Sequence, residues 1–378
     1  MTGDGPGFLL TILSFLLVIG PLIFIHELGH YYAGRWFGVK ADAFSIGFGR
    51  EILGWTDKRG TRWKVGWMPL GGYVKFKGDM SPASTPTDEW LSLPADERAQ
   101  TFQAKSVWQR FIIVAAGPFT NFLFAVLVFT AFFAVLGQPY TPNTIPGVSA
   151  GSAAARAGLR GGDQIVSING SDIERFEDIA TYVQIRPRQP LEIEIVRGEQ
   201  KLVLRTVSDS ARVSDKFGNK AEIGRLGVLW PAQAREPMPL YQAPFAAVRQ
   251  TWNVIETMVV TLGQLIVGDR SVKEMGGPLK IAQYSGQQAS MGWADFISFM
   301  TLISINLGFI NLLPIPLLDG GHLLFYAIEG VRRKPIRPEA QEWAFRTGLA
   351  ALLALMIFVT LNDLASFGVW ARLGGLIG

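Results

Sequence analysis

The segment His26-Glu27-Leu28-Gly29-His30 holds the residues whose types and spacing are best suited to chemistry. Side chains four positions apart lie on one face of a helix, so both imidazoles can bind a single metal ion, and zinc is the usual metal for this pattern. Glu27, next to the first histidine, is placed to accept a proton from a water molecule. The segment therefore predicts a zinc site with a glutamate base. The alternative is a hydrogen-bonded histidine pair that holds no metal.

A catalytic zinc site needs a third protein ligand and one open position. The chain has no cysteine and only one further histidine, so the candidates are His322 and a carboxylate in another apolar segment. Asp319 is favoured because it directly follows the uncharged segment 296–318. Counting about 1.5 Å per residue along the first and third apolar segments also gives His26 and Asp319 similar depths. His322 remains an alternative ligand or a supporting partner of Asp319.

The composition indicates which kind of protein must position these residues. Only 17% of the residues are charged, 49% are hydrophobic and the mean hydropathy is +0.24, whereas soluble domains carry about 25% charged residues. Four long apolar segments span 5–32, 111–136, 296–318 and 343–361. We therefore predict a polytopic α-helical membrane protein with four transmembrane helices, the first of them a retained span rather than a cleaved signal.

Several function classes are excluded by residue counts alone. A chain without cysteine has no disulfide framework, thiolate zinc site, iron–sulfur cluster or cysteine nucleophile. Three histidines are too few for the membrane oxygenases that hold two irons with many histidines. The net charge of +4 is better explained by basic loops on one side of a lipid bilayer than by nucleic-acid binding, so no nucleic-acid partner is expected.

The distribution of basic residues predicts the orientation in the bilayer. Lysine and arginine are concentrated in the loop 35–64 and again in the short loop 332–337. Basic loops remain on the cytoplasmic side, so both loops are expected there. Both termini and the long segment 138–295 then lie on the opposite side, as four spans require.

A water-soluble unit is inserted between the second and third apolar segments. Residues 149–207 combine a short small-residue helix, a strand that ends at Asn169-Gly170, a helix, and two strands joined at Gly198. The string AGLRGGDQIVSING closely resembles a PDZ domain in the strand order of bacterial envelope proteases. Such a domain implies a groove that can bind a peptide C-terminus. The alternative is a small β domain that only fills space.

The segment that follows the insert has the periodicity of an amphipathic helix. Its apolar residues recur at alternating steps of three and four: Phe245, Val248, Trp252, Ile255, Val259, Leu262 and Ile266. We expect a helix that lies at the outer membrane interface or against the spans, with ordinary packing between domains as the alternative.

Polar and helix-breaking residues precede Asp319 within the third apolar segment. Pro314 and Pro316 cannot continue a regular helix, and the carbonyls they release are tolerated in a membrane only beside protein or water. They therefore favour a wet pocket next to the metal. Asn311 could bind the backbone of a substrate. A simple kink for the prolines, and a hydrogen bond between helices for Asn311, are the alternatives.

Together these motifs resemble the site-2 protease family of intramembrane zinc proteases. The resemblance covers nearly the whole chain, through HELGH, AGPFTN at 116–121, the PDZ-like insert and N-x-x-P-x-P-x-L-D-G, and is greatest to the bacterial regulator-of-sigma-E protease branch. It implies that His26, His30 and Asp319 bind Zn²⁺. It further implies that Glu27 is catalytic and that Asn311, with the proline motif, handles substrate.

A second region resembles the membrane-re-entrant β element of that family, which holds substrate as an extended strand. The resemblance lies in 44–76 and implies substrate contacts for Gly47, Phe48, Gly49, Gly71, Gly72 and Tyr73. The chain departs from many such proteases because it has room for one PDZ domain rather than two.

The resemblance implies an intramembrane endopeptidase in the bacterial inner membrane, with both termini and the PDZ domain on the periplasmic side. Its substrates would be single-span membrane proteins, namely anti-sigma factors already cut by another protease, and also remnant signal peptides. Two alternatives are a non-catalytic PDZ scaffold for envelope proteins and a membrane-anchored zinc protease that cuts soluble loops.

The predicted division of the chain follows from these segments. It comprises a first helix (1–34), a cytoplasmic and re-entrant β region (35–107), a second helix (108–137), a PDZ domain (138–231), an amphipathic region (232–292), a third span (293–330), a basic loop (331–342) and a fourth helix with the C-terminus (343–378).

Overall fold

The computed structural model describes residues 7–78, 90, 92–214, 220–232, 234–268 and 276–366. These fall into two compact units, one formed by Met1–Phe129 with Ala247–Gly378 and the other by Thr130–Ala246. In chain order the elements are α1 (Phe8–Trp36), β1 (Ala41–Thr56), β2 (Arg62–Phe76), α2 (Ala95–Arg98), α3 (Val107–Leu136), β3 (Gln138–Tyr140), α4 (Ala153–Ala157), β4 (Gln164–Ile168), β5 (Ser171–Asp172), α5 (Phe176–Gln184), β6 (Pro190–Arg197), β7 (Gln200–Val207), β8 (Asp209–Ser214), β9 (Lys220–Arg225), β10 (Ala234–Glu236), α6 (Ala243–Val267), α7 (Pro278–Met291), α8 (Trp293–Leu312), α9 (Asp319–Arg332) and α10 (Pro338–Ser366).

Four helices, α1, α3, α8 and α10, are long and apolar enough to cross a membrane. They correspond to the four predicted spans. Much of their apolar surface is exposed, as Leu17 and Leu127 illustrate with 60% of each residue accessible. Large exposed apolar side chains along helices of this length are what a lipid environment stabilises, so the chain has the character of a membrane protein.

The third predicted span is interrupted rather than continuous. Helix α8 ends at Leu312, and Leu313 is already extended, with φ −63° and ψ 140°. A new helix, α9, begins only at Asp319. Proline removes a backbone donor and pushes the preceding residue out of the helical region, so Pro314 and Pro316 prevent the helix from continuing. The irregular stretch between the two helices brings Asp319 to the start of α9.

Strands β1 and β2 form an antiparallel sheet. Two separate stretches of β2, 62–65 and 72–76, both pair with the first part of β1, at 41–46. Phe44 is paired with Trp63 on one side and with Val74 on the other, and Trp55 is also paired with Trp63. The segment 72–76 therefore lies at an edge of the sheet. No strand among the described residues pairs with its outer side.

The core of the first unit joins this sheet to α1. Phe44 is fully enclosed, stacks on Trp63 with ring centroids 4.4 Å apart, and meets the edge of Tyr31 from α1 at 5.9 Å. Gly34 permits the close approach of α1 to β2, since a Cβ at this position would overlap the ring of Phe76. The histidine-bearing helix is therefore fixed against the sheet by aromatic packing.

The second unit has the elements that the sequence predicts for the insert. Strands β5, β4, β6 and β7 form one antiparallel sheet in that order. The short helix α4 is capped by Ser152, whose hydroxyl accepts a hydrogen bond from Ala155 N–H, and ends at Gly158 in the left-handed conformation. The core is larger than residues 149–207, since Ile145 and Leu226 are buried in it.

The amphipathic segment forms the predicted helix, α6, but its large apolar side chains are not covered by described residues. Phe245 is 77% exposed and Trp252 is 65% exposed, while the buried positions are Ala243, Ala247 and Thr251. This apolar face is therefore largely exposed among the described residues. Its location at a membrane interface remains a prediction.

One buried ion pair in the second unit gives a pH-dependent stability. Asp163 is 1% exposed and accepts hydrogen bonds from Arg197 Nε and Nη2, both at 2.7 Å. Burial alone would raise the pKa of Asp163, but the hydrogen bonds from Arg197 and from the Arg160 backbone hold it below its ordinary value of 3.8. Because the folded pKa is depressed, this stabilisation is complete above about pH 4 and is lost as the pH falls below it.

We therefore expect Asp163→Asn to reduce the stability of this unit by about 1–3 kcal/mol at neutral pH and to remove most of the loss of stability that follows as the pH falls below about 4. Hydrogen-exchange protection of the β4 and β6 amides in the full chain measures both effects. Glu192→Gln is the matched control, because Glu192 is half exposed and pairs with the exposed Arg205. The control should change protection little, and equal losses in the two variants would contradict the assignment.

Candidate metal centre

The two histidines of HELGH lie on one face of α1, in its buried half. His26 is 7% exposed, and the rings of His26 and His30 have centroids 4.9 Å apart. Their Nε2 atoms are separated by 3.2 Å. One helical turn therefore places two ring nitrogens beside each other, as the spacing of four predicts.

The third group comes from the start of α9. Asp319 is the first residue of that helix, and Leu317, two residues before it, adopts a left-handed φ of 86°. The two glycines after Asp319 allow the helix to fold back onto the irregular segment, since a Cβ at Gly321 would lie 2.8 Å from Pro316 Cα, and one at Gly320 would overlap the carbonyl oxygen of Leu313. The sequence L-D-G-G thus positions the carboxylate by permitting this close approach.

These three side chains converge on one point. Asp319 Oδ2 lies 3.1 Å from His26 Nε2 and 3.5 Å from His30 Nε2, and it is fully buried with no hydrogen-bond partner. Ligands about 2.0–2.1 Å from a tetrahedral zinc ion are about 3.3 Å from one another. Within the described part of the chain this is the one His/Cys/Asp/Glu group whose ligand atoms could hold a metal ion together. Two imidazoles and a carboxylate are also the donor set of known catalytic zinc sites.

Helix α3 contains a hydrogen-bonding partner for the Nδ1 atom of each histidine, on the side of the ring that faces away from Asp319. The HELGH motif alone does not reveal these partners. His30 Nδ1 lies 3.0 Å from the carbonyl oxygen of Ile113, so the ring donates there and directs its Nε2 lone pair toward Asp319. Gly117 leaves space for this ring, since a Cβ there would overlap the imidazole of His30. The signal in the sequence is AGPFTN, whose glycine and asparagine lie about one helical turn apart.

Glu27 faces the same region from α1 but does not belong to the convergent group. It is 8% exposed, and its carboxylate accepts a hydrogen bond from the backbone N–H of Val74. That N–H belongs to the outer edge of 72–76. Backbone groups that point outward recur at every second residue of a strand, so those of Gly72 point the same way. A Cβ on Gly72 would lie 2.7 Å from Ile23 Cγ2 and 3.1 Å from Glu27 Cγ, which accounts for glycine here.

A cavity of about 560 Å³ opens in front of the convergent group, within the first unit. The predicted site residues that line it are His26, Glu27, His30, Phe48, Gly71, Gly72, Tyr73, Asn311, Asp319 and His322. The structure thus brings together the residues of three separate motifs.

Four predicted substrate contacts do not line this cavity: Gly47, Gly49, Pro314 and Pro316. Pro316 instead packs against α10, where a Cβ on Gly348 would lie 2.7 Å from Pro316 Cβ. Gly47 has a left-handed φ of 83°, and a Cβ there would lie 2.7 Å from the Met68 carbonyl oxygen.

His322 lies beside the metal ligands but outside their convergent group. It lines the cavity, and its ring packs on Phe345 of α10 with centroids 4.9 Å apart. It is three residues beyond Asp319, so both side chains project from the same face of α9. The arrangement favours a supporting position for His322 over a place among the three ligands.

A buried site with two imidazoles, a carboxylate and an adjacent glutamate has the constitution of a zinc metalloprotease site. A family model described as "Peptidase family M50" matches residues 14–355. The chain therefore belongs to peptidase family M50, the site-2 protease family. It is a zinc-dependent metalloendopeptidase.

Curated relatives match along almost their whole length. A protein of Agrobacterium fabrum named "Putative zinc metalloprotease Atu1380" is 43% identical over 360 residues, covering 94% of this chain and 96% of its own. "Metalloprotease MmpA" of Caulobacter vibrioides is 36% identical over 394 residues, covering 98% and 99%. Among solved structures, the PDZ domain of an SdrC-like protein from Listeria monocytogenes is 18% identical and covers 24% of this chain and 88% of its own, with a TM-score of 0.19.

Proposed function

We propose that this protease cuts peptide bonds within the membrane-spanning segments of single-span proteins, with zinc held by His26, His30 and Asp319. The observation that carries the proposal is the convergence of these ligands and Glu27 on one cavity, lined by helices that are apolar enough to cross a membrane. Catalytic residues enclosed by such helices can reach the membrane-spanning part of a substrate more readily than they can reach a soluble loop.

A spanning substrate must first lose its helical structure, because the peptide bonds of a helix are shielded by internal hydrogen bonds. The edge of 72–76 offers the replacement, since no described strand pairs with its outer side and an extended segment can pair with the outward backbone groups other than the Val74 N–H, which donates to Glu27. Gly71, Gly72 and Tyr73 lie at the cavity wall beside Glu27, so a segment added at this edge passes in front of the metal ligands. A volume of about 560 Å³ accommodates a few residues of such a segment.

The chemistry is hydrolysis by an activated water. Zinc, when bound, supplies a Lewis acid that polarises the scissile carbonyl and acidifies water. Glu27 takes a proton from the attacking water while the water oxygen forms a bond to the carbonyl carbon. As the C–N bond breaks, Glu27 returns that proton to the leaving nitrogen. The Val74 N–H holds the Glu27 carboxylate in place. Asn311, near the end of α8, lines the same cavity, which supports a role for its amide in binding the substrate backbone.

The second unit provides a separate site for a peptide C-terminus. A cavity of about 280 Å³ lies between α5 and the segment 223–228 and is lined by Phe176, Ile179 and Val183. The resemblance to PDZ domains supports the addition of a peptide strand here. Binding of C-terminal peptides to the full chain, compared with Ala180→Trp, measures it, and equal affinity in both proteins would contradict it.

The biological setting is proposed from the same resemblance. The basic loops 35–64 and 332–337 support an inner-membrane orientation with both termini and the PDZ-like unit in the periplasm. The proposed substrates are anti-sigma factors already shortened by another protease, and remnant signal peptides. An external PDZ-like unit could then select substrates whose periplasmic domains have been removed.

Reconstituted cleavage tests this proposal. The purified chain in proteoliposomes is given a tagged single-span substrate, or the same tags joined by a soluble linker that contains the same scissile sequence. We expect cleavage only of the spanning substrate, its loss on adding a zinc chelator, and its recovery with added zinc. Equal cleavage of the soluble linker would favour the membrane-anchored protease, and binding without cleavage under every condition would favour the non-catalytic scaffold.

A further inference from the structure

Asn121 is a fully buried polar residue of α3 that none of the steps above uses. Its Nδ2 atom lies 3.0 Å from Nδ1 of His26, on the opposite side of the ring from the metal ligands. Its other side-chain atom, Oδ1, is buried without a hydrogen-bond partner. Its backbone oxygen accepts a hydrogen bond from Ser304 Oγ of α8 at 3.0 Å, so the residue is fixed between two neighbouring helices.

The chemistry of metal binding selects the orientation of this amide. A histidine that gives its Nε2 lone pair to a metal carries its proton on Nδ1, which must then donate a hydrogen bond. An amide nitrogen cannot accept that hydrogen bond, whereas the amide oxygen can. Rotation of the Asn121 amide by 180° exchanges its two ends without moving other atoms. Either orientation leaves one end of the amide without a hydrogen-bond partner, so hydrogen bonding within the protein favours neither. A metal ion bound at His26 Nε2 would favour the orientation in which the amide oxygen faces Nδ1.

His30 follows the same rule with a different partner. Its Nδ1 faces the carbonyl oxygen of Ile113, which is only an acceptor, so its Nε2 is necessarily free of a proton when the ring is neutral. Each histidine then has a hydrogen-bond partner on α3, and these two partners, Ile113 and Asn121, are eight residues apart. Both histidines present Nε2 to Asp319. Helix α3 thus contains the outer partners of the entire histidine pair.

We propose that Asn121 is a positioning residue of the metal centre, whose side-chain oxygen accepts the hydrogen bond from His26 Nδ1 and thereby fixes the metal-binding tautomer. The inference rests on the proposed ligand set of His26, His30 and Asp319. It assigns a purpose to the asparagine of AGPFTN that the spacing of the motif alone does not give. It also predicts that an acceptor, not a donor, is required at this position.

Two substitutions at Asn121 separate these requirements. Asn121→Asp keeps an acceptor and removes the donor, whereas Asn121→Leu keeps the approximate shape and removes both. Thr120→Val is the matched control, since Thr120 Oγ1 lies 2.7 Å from the carbonyl oxygen of Gly117 and 3.0 Å from that of Ile25. This hydroxyl therefore also lies between α3 and α1, but its hydrogen-bond partners are backbone oxygens rather than a histidine. The zinc dissociation constant of each full-length variant in detergent is measured by chelator competition.

We expect Asn121→Leu to weaken zinc binding by about 10- to 100-fold, the range found for outer partners of metal-binding histidines. Asn121→Asp should bind zinc within about threefold of the unmodified chain, and so should Thr120→Val. Equal weakening in the Asp and Leu variants, or no weakening in the Leu variant, would overturn the assignment. His26→Ala tests the ligand set separately from the role of Asn121. Retention of zinc in that variant would show that His26 is not a ligand.

Discussion

Replacing Glu27 by glutamine is expected to lower the rate of peptide-bond cleavage by about 10²- to 10⁴-fold while leaving the zinc content unchanged. Glutamine has the shape of glutamate and can still accept the hydrogen bond from Val74 N–H, but it cannot take a proton from water. Glu27 is separate from the convergent group of three ligands, so metal binding should not depend on it. Single-turnover cleavage in proteoliposomes, with metal analysis of the same sample, measures both quantities.

Glu51→Gln is the matched control for this experiment. Glu51 lies on β1 of the same unit and pairs with Arg62 at the surface, outside the cavity. Its replacement should leave the cleavage rate within about twofold, because a half-exposed surface ion pair contributes little to stability. Cleavage by Glu27→Gln at the unmodified rate would show that another group accepts the proton.

The sequence predicted that the two histidines lie side by side because their spacing is local. A separation of four residues fixes His26 and His30 on one helix face whatever surrounds them. The break before Asp319 was also predictable, since Pro314 and Pro316 stop a helix by their covalent structure. Such features require no knowledge of long-range packing.

Asp319 does not lie on the continuous helix along which the sequence prediction measured its depth. That prediction counted about 1.5 Å per residue along an unbroken helix, but α8 ends at Leu312 and the next residues are extended. Asp319 meets the histidines because Gly320 and Gly321 let α9 fold against the irregular segment. The position of the carboxylate is thus set by close backbone contacts, which residue counting does not contain.

Long-range pairings remained outside the sequence prediction for the same reason. The double pairing of Phe44 with Trp63 and Val74 depends on how β2 folds past β1, which no local pattern specifies. The contact of Asn121 with His26 spans 95 positions of the chain. The periodicity of α6 correctly predicted a helix, but it could not predict that the described residues leave side chains such as Trp252 exposed.

Replacing Asp319 by alanine is expected to weaken zinc binding by at least about 100-fold, more than the loss of an outer partner would. The carboxylate supplies one of three ligand atoms, and its Oδ2 lies within 3.5 Å of both histidine Nε2 atoms. It is also the one negative charge in the convergent group, so its removal leaves a buried dication with neutral ligands alone. Cleavage should fall in parallel with zinc content.

His322→Ala provides the comparison that decides between the two candidate ligands. His322 lines the same cavity and lies on the same face of α9, but its ring packs on Phe345 instead of joining the other ligand atoms. We expect this variant to retain zinc within about threefold, since a supporting residue outside the convergent group contributes no ligand bond. Chelator competition on the two purified variants measures the difference. If Asp319→Ala kept its zinc while His322→Ala lost it, the third ligand would be the histidine. Helix α9 would then have to rotate by about 60° and shift by about 4.5 Å along its axis to present it, because three residues of a helix span about 300° and 4.5 Å.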